Sequence, residues 1–126
     1  MLFMYDKELV VEILSQISNA VSVALKRFEV VNDASYFTDT PEGMEKLDSI
    51  CMVLIAIGES LKNIDKITNK KLLLKYPQID WKAAKGMRDI ISHHYFDIDA
   101  AEIYFVCDTK LEELQKVINQ MINELQ

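Results

Sequence analysis

"ICMVLIAIG", Ile50 to Gly58, is a run of nine residues without a charge. It lies inside a helical pattern from about Pro41 to Ile67 and is apolar on every face. Such a segment is stable only where neighbouring helices enclose it, so the fold has to be built around it. Gly58 would let one of those neighbours approach closely. Glu59 follows directly, a carboxylate at the boundary of the run that reads as a side chain turned to solvent.

The flanking sequence supplies the neighbours. From Asp6 to Val31, apolar residues recur at Leu9, Val10, Ile13, Leu14, Ile17, Val21, Ala24, Leu25 and Phe28. That is the spacing of an amphipathic helix. "NDASYFTDTPEG" breaks the pattern, and Thr40-Pro41 reads as an N-cap followed by a first-turn proline. "NKKLLLKYPQID" suggests a short helix ended by Pro77. Asp80 can cap the next helix, which starts at Trp81. Asp99 and Glu102 form a capping box for a last helix carrying Ile103, Val106, Leu111, Leu114, Val117, Ile118, Met121 and Leu125. No stretch alternates as a strand would. The expectation is an all-α protein: an antiparallel bundle of four main helices plus a short one, one domain over residues 1–126.

Composition agrees. Half of the 126 residues are hydrophobic and only three are glycine and two proline, which excludes disorder and favours long helices. A charge at Asp6 comes too early for a signal peptide, and Ile50–Gly58 is too short to span a bilayer. Cys51 and Cys107 have no motif spacing and read as reduced core thiols of a cytoplasmic protein. The net charge of −6 argues against a general nucleic-acid coat. The stretch from Lys62 to Arg88 is different: eight basic residues against Asp65 and Asp80 make it +6. A basic face on an acidic chain suits phosphate, with Lys82 and Lys85 as contacts, although a merely solvated lysine face would look the same.

The reactive side chains gather in "GMRDIISHHYFDID", Gly86 to Asp99, which holds both histidines of the chain. Arg88 and His93 are five residues apart, so on one regular helix they diverge by about 140°. Arg88, Ser92 and Tyr95 share a face if the helix continues. Asp89 stands four before His93 and can pair with it. Two arrangements would bring the arginine and a histidine together: a turn at the helix end, or a two-fold dimer in which two Arg/His sets line one cleft. Imidazole exchanges protons near neutral pH and guanidinium grips phosphate. Together these groups suffice for metal-independent cleavage of RNA by its own 2′-hydroxyl, although adjacent histidines near a helix end are more often surface or capping groups than catalysts. A metal site from His93, His94, Asp97 and Asp99 matches no standard spacing, and no cofactor is implied. Asp97 to Asp99 resembles the paired carboxylates of nucleotidyltransferases, but the chain has no Gly-Ser pair for their phosphate loop.

"AIGESLKNI", "YPQIDWKAAKGMRDIISHHYFDID" and the closing helix resemble the HepT-like branch of the HEPN family, whose motif is Arg-x4-His-x-Tyr. Arg88, His93 and Tyr95 fit it without a gap, and the similarity runs from about Met52 to Ile103. The resemblance implies a helical bundle that dimerises with the motif in a shared cleft. It implies a metal-independent endoribonuclease toxin with Arg88 and His93 as catalytic residues. It also implies a partner, a nucleotidyltransferase antitoxin that adenylylates Tyr95, adding bulk and negative charge beside Arg88. His94 fills the x position, often a small residue, and is read as tolerated there; Asp89 and Ser92 are supporting residues. Two other readings stand beside the nuclease. One is a non-catalytic nucleotide- or substrate-binding partner of the transferase, and the other is a purely structural dimer.

Overall fold

Asp6 opens the first helix by accepting the Leu9 N–H at 3.1 Å, and α1 then runs Lys7–Phe28. The computed structural model describes residues 5–126, with the side chain of Tyr95 outside the described residues. On α1 the buried residues are Val10, Leu14, Ile17, Val21 and Ala24, alternating steps of four and three that keep one stripe inward. By length and composition α1 could cross a bilayer, but here this stripe is packed in the protein core.

The segment after α1 is not the plain break the sequence suggested. It contains a one-turn helix, α2 (Tyr36–Asp39), whose Phe37 is fully buried. A four-residue helix offers no periodicity to read, so burial of one aromatic ring is what fixes it. Thr40 caps α3 (Pro41–Ile67) through the Gly43 N–H at 3.0 Å, with Pro41 in the first turn. A Cβ at Gly43 would collide with the Tyr36 carbonyl oxygen, which is how α2 lies so close to α3.

The long helices are antiparallel neighbours. Arg27 near the end of α1 donates to the Ser49 carbonyl near the start of α3 at 3.0 Å. Ser18 and Ser22 of α1 meet Asn119 and Gln115 of the last helix in reverse order. After α3, the expected short helix is a single 3-10 turn, Leu73–Lys75. Then come α4 (Trp81–His93), α5 (Ala100–Phe105), a π turn at Val106–Lys110 and α6 (Leu111–Leu125). One closing helix was expected here, and it is divided by the π turn. Its buried residues Ile103, Cys107 and Leu111 recur every fourth position, a longer step than the 3.6-residue turn by which an α-helix keeps one side. The wider i→i+5 turn holds them inward.

The central run is covered on one side and not the other. Ile50, Cys51, Leu54, Ile57 and Gly58 are buried, but Met52 is 67% exposed. Enclosure on every face is therefore not reached within one chain.

Tyr76 and both cysteines sit in this core. Burial first, then the neighbouring Glu124, pushes the Tyr76 hydroxyl up to about 12. Burial likewise pushes Cys51 up to about 11 and Cys107 to about 12. A group whose folded pKa is raised contributes stability that is complete below its unfolded pKa and lost as pH rises through the folded one. Denaturant midpoints are therefore expected to hold to about pH 9 and decline between about pH 9 and 12. Tyr76→Phe should flatten the upper part of that decline, and a flat wild-type profile would contradict the burial of these groups.

Candidate functional site on α3 and α4

Two residues anchor α4. Trp81 is buried and its indole N–H donates to the Tyr76 carbonyl at 2.8 Å, while Ile91 packs at the other end. Asp80 caps the helix through the Ala83 N–H at 3.0 Å. Gly58 sets how near α4 lies to α3. A Cβ on Gly58 would stand 3.1 Å from the Arg88 Cβ and 3.2 Å from both the Arg88 nitrogen and the Lys85 carbonyl oxygen. The close approach expected of this glycine is made, and by α4.

At that separation three ion pairs lace the helices, Asp65 pairing nearer the start of α4 than Glu59 and Lys62 do. Glu59 Oε2 meets Arg88 Nε at 3.1 Å, Lys62 Nζ meets Asp89 Oδ2 at 2.9 Å, and the buried Asp65 binds Lys85. Arg88 Nη1 also donates to Asp89 Oδ1 at 3.0 Å. The hydrogen bond from Lys62, then that from Arg88, holds the Asp89 carboxyl below the usual carboxylate range. Asp89 thus faces Lys62 and Arg88 rather than His93: a lysine reaching across from α3 outcompetes a helical neighbour four residues away.

These pairs bear on two further expectations. Glu59 is half-exposed, as a boundary residue turned to solvent would be, and it is also the partner of Arg88. Lys85 spends its charge on Asp65, so of the two expected phosphate contacts only Lys82 remains without an ion pair among the described residues. A readable signal did exist. Glu59, Lys62 and Asp65 alternate in sign at three-residue spacing, and Lys85, Arg88 and Asp89 carry the two positive charges and one negative charge that complement them. Glu59 orients the Nε edge of Arg88, in an exposed pair that contributes less than about 1 kcal/mol to stability. Glu59→Gln is therefore expected to leave the Tm within a few degrees while lowering about tenfold any activity that uses the Arg88 fork. A Tm loss matching the activity loss would make Glu59 structural.

The histidines lie at the end of α4. The helix is unbroken through His93, so Arg88 and His93 leave it about 140° apart. His94 follows as the C-cap residue, its N–H donating to the Ile90 carbonyl at 3.2 Å and its Nδ1 standing 3.6 Å from Asp97 Oδ1. Tyr95 begins a 3-10 turn, Tyr95–Asp97. The helix does not continue to carry Tyr95 onto the face of Arg88 and Ser92, and the Tyr95 side chain lies outside the described residues. Ser92, His93 and His94 are exposed. Asp99 caps α5 through the Ala101 and Glu102 N–H groups. Among the described residues no three His, Cys, Asp or Glu side chains gather as metal ligands.

Between the C-terminal half of α3 and the N-terminal half of α4 lies an open groove of about 530 Å³, walled by five lysines with Asp65, Asp89 and Gly86. On α4 its wall residues Lys82, Gly86 and Asp89 recur at steps of four and three. His93 is the next member of that stripe.

Comparison with known proteins gives a consistent picture. A family model described as "Ribonuclease HepT-like" matches residues 21–121. A protein of Methanocaldococcus jannaschii named "Putative RNase MJ1216" is 28% identical over 104 residues, covering 78% of this chain and 83% of that relative. A second from the same organism, "Putative RNase MJ0125", is 31% identical over 78 residues, 62% of this chain and 64% of the relative. "Putative RNase TTE0752" of Caldanaerobacter subterraneus is 29% identical over 68 residues, covering 54% of this chain and 57% of the relative. No solved structure matches the chain.

Proposed function

Because the chain belongs to the HepT-like ribonuclease family, we propose that it is a metal-independent endoribonuclease whose cleft forms between two subunits, each giving one Arg88 and one His93. The observation that carries this reading is the continuity of α4 through His93. One straight helix sends the two groups to different sides, and a two-fold mate supplies the missing one to each. Exposed apolar residues beside the motif support the same assembly: Ile90 is 60% and Phe96 96% exposed. Met52 lies two turns before Glu59 on α3, toward the end of α4, and completes an apolar face for a second copy to cover.

In this cleft the Arg88 guanidinium holds the non-bridging oxygens of one phosphodiester. A neutral imidazole takes the proton of the adjacent 2′-hydroxyl, whose oxygen attacks phosphorus. The 5′-oxygen of the next nucleotide leaves and takes a proton from the partner's imidazolium. The products are a 2′,3′-cyclic phosphate and a 5′-hydroxyl, and no water enters this step. We assign control to a cytoplasmic nucleotidyltransferase that moves an adenylyl group from ATP to the Tyr95 oxygen, releasing pyrophosphate. Tyr95 is two residues beyond His93, so the new negative charge would lie where substrate phosphate binds.

Incubating the purified protein with RNA and identifying the fragment ends tests the chemistry. Cyclic phosphate ends are expected, and 3′-hydroxyl ends would remove the 2′-attack. A second reading is favoured by one observation: Arg88 is already held by two carboxylates, Glu59 and Asp89. In that reading the chain binds nucleotide beside the transferase without turnover. It predicts a tight complex and no cleavage at any protein concentration.

A further inference from the structure

We propose that the α3–α4 groove seats the sugar-phosphate backbone of the RNA strand flanking the cleaved bond, with Gly86 as bare helix for close approach and Lys66, Lys70 and Lys82 as its cations. This rests on the reading of the chain as an RNA-cleaving enzyme and adds the path of its substrate.

The charge is available. Lys62 and Lys85 are occupied by Asp89 and Asp65, but among the described residues the Lys66, Lys70 and Lys82 ammonium groups have no ion pair or hydrogen bond. Three unneutralised cations around one open groove fit a polyanion rather than a single small acid. Lys70 is also held in the left-handed region at φ 60°, beside Asn69 at 54°, a conformation unfavourable to a lysine. The turn that holds it there, with the Lys70 N–H on the Asp65 carbonyl at 2.8 Å, puts it on the groove wall.

Gly86 points the same way. It sits in the interior of α4, where glycine weakens a helix. The chain's other two glycines have a packing reason: an added Cβ would strike Tyr36 at Gly43 and Arg88 and Lys85 at Gly58. At Gly86 an added Cβ meets nothing within 4 Å. Nothing inside the fold asks for this glycine, so its reason lies outside the chain, in something that approaches the helix backbone from the groove. The stripe Lys82, Gly86, Asp89, His93 then gives direction. A strand following it runs about 16 Å along α4 from Lys82 to the His93 imidazole.

Two variants test the groove, with binding of a single-stranded RNA 20-mer read by anisotropy in a His93→Ala background. Gly86→Ala is expected to raise the Tm by about 2–5 °C and to weaken RNA binding about tenfold, with the sedimentation coefficient unchanged. The triple variant Lys66→Gln, Lys70→Gln, Lys82→Gln is expected to reduce the slope of log K against log salt by about 2. Removing Lys46, Lys75 and Lys116, away from the groove, should leave that slope unchanged. Unaltered binding in both groove variants overturns the proposal. So does a Gly86→Ala variant that dissociates into monomers, which would assign the bare backbone to a second copy. Groove-dependent binding without cleavage by the wild-type chain would instead sink the nuclease reading and leave the groove standing.

Discussion

With His93 replaced by alanine, the rate of RNA cleavage is expected to fall by about 10²–10⁴-fold, the contribution of a positioned proton-transfer group. The fold should not register the change. His93 is exposed, is the last residue of α4, and its side chain makes no hydrogen bond or ion pair among the described residues. Substitutions of that kind stay within about 0.5 kcal/mol. Arg88→Ala should be comparably inactive, because the phosphate loses its fork. The informative experiment mixes wild-type and His93→Ala subunits and lets them exchange. If two imidazoles serve one phosphate, one accepting and one donating, a mixed dimer lacks a required group. Activity then follows the square of the wild-type fraction, and an equal mixture keeps about a quarter of it. Sites built wholly within one chain would keep about half. A linear decline removes the pairing of two imidazoles at one phosphate, and a fully active His93→Ala variant removes the histidine chemistry altogether.

The fold and the site were legible to different depths, for physical reasons. Periodicity located α1, α3, α4 and the closing helical run because each buries a long apolar stripe, such as Val10, Leu14, Ile17, Val21 and Ala24 on α1. It could not locate α2, where one buried ring, Phe37, does the fixing, nor the π turn at Val106–Lys110, which adjusts register without changing the apolar pattern. The Arg-x4-His spacing implies that Arg88 and His93 diverge if one regular helix carries both, and α4 does extend through His93. Partners were harder. Asp89 was within reach of His93 along its own helix, but its choice of Lys62 depends on the separation of α3 from α4. Glu59 passed as a boundary residue for the same reason: only the packed pair of helices brings it to Arg88. The enclosure read from Ile50–Gly58 was half right. The side that one chain leaves open, at Met52, is the side the proposed second subunit uses.

That helix separation rests on Gly58, so Gly58→Val is expected to be the most damaging single change to fold and activity together. Two of the three atoms an added Cβ would crowd, the Arg88 nitrogen and the Lys85 carbonyl oxygen, are backbone, and the third is the Arg88 Cβ. None of them can rotate away. Even alanine forces α4 outward by tenths of an ångström, an overpacking cost of about 1–3 kcal/mol, and the two further methyl groups of valine exceed it. A fall in Tm on the order of 10 °C follows. Activity should fail before the fold does. Displacing α4 pulls Arg88 from Glu59 and Asp89 from Lys62, while the buried anchors Trp81 and Ile91 still hold the helix ends. At temperatures well below the new midpoint, the variant is expected to keep its helical circular dichroism and lose most of its RNA turnover. Gly86→Ala on the facing helix carries the opposite sign in stability, so the two together separate a glycine required by packing from one required by substrate. A Gly58→Val protein with unchanged Tm and full turnover would mean that the spacing of α3 and α4 does not hold Arg88 in place.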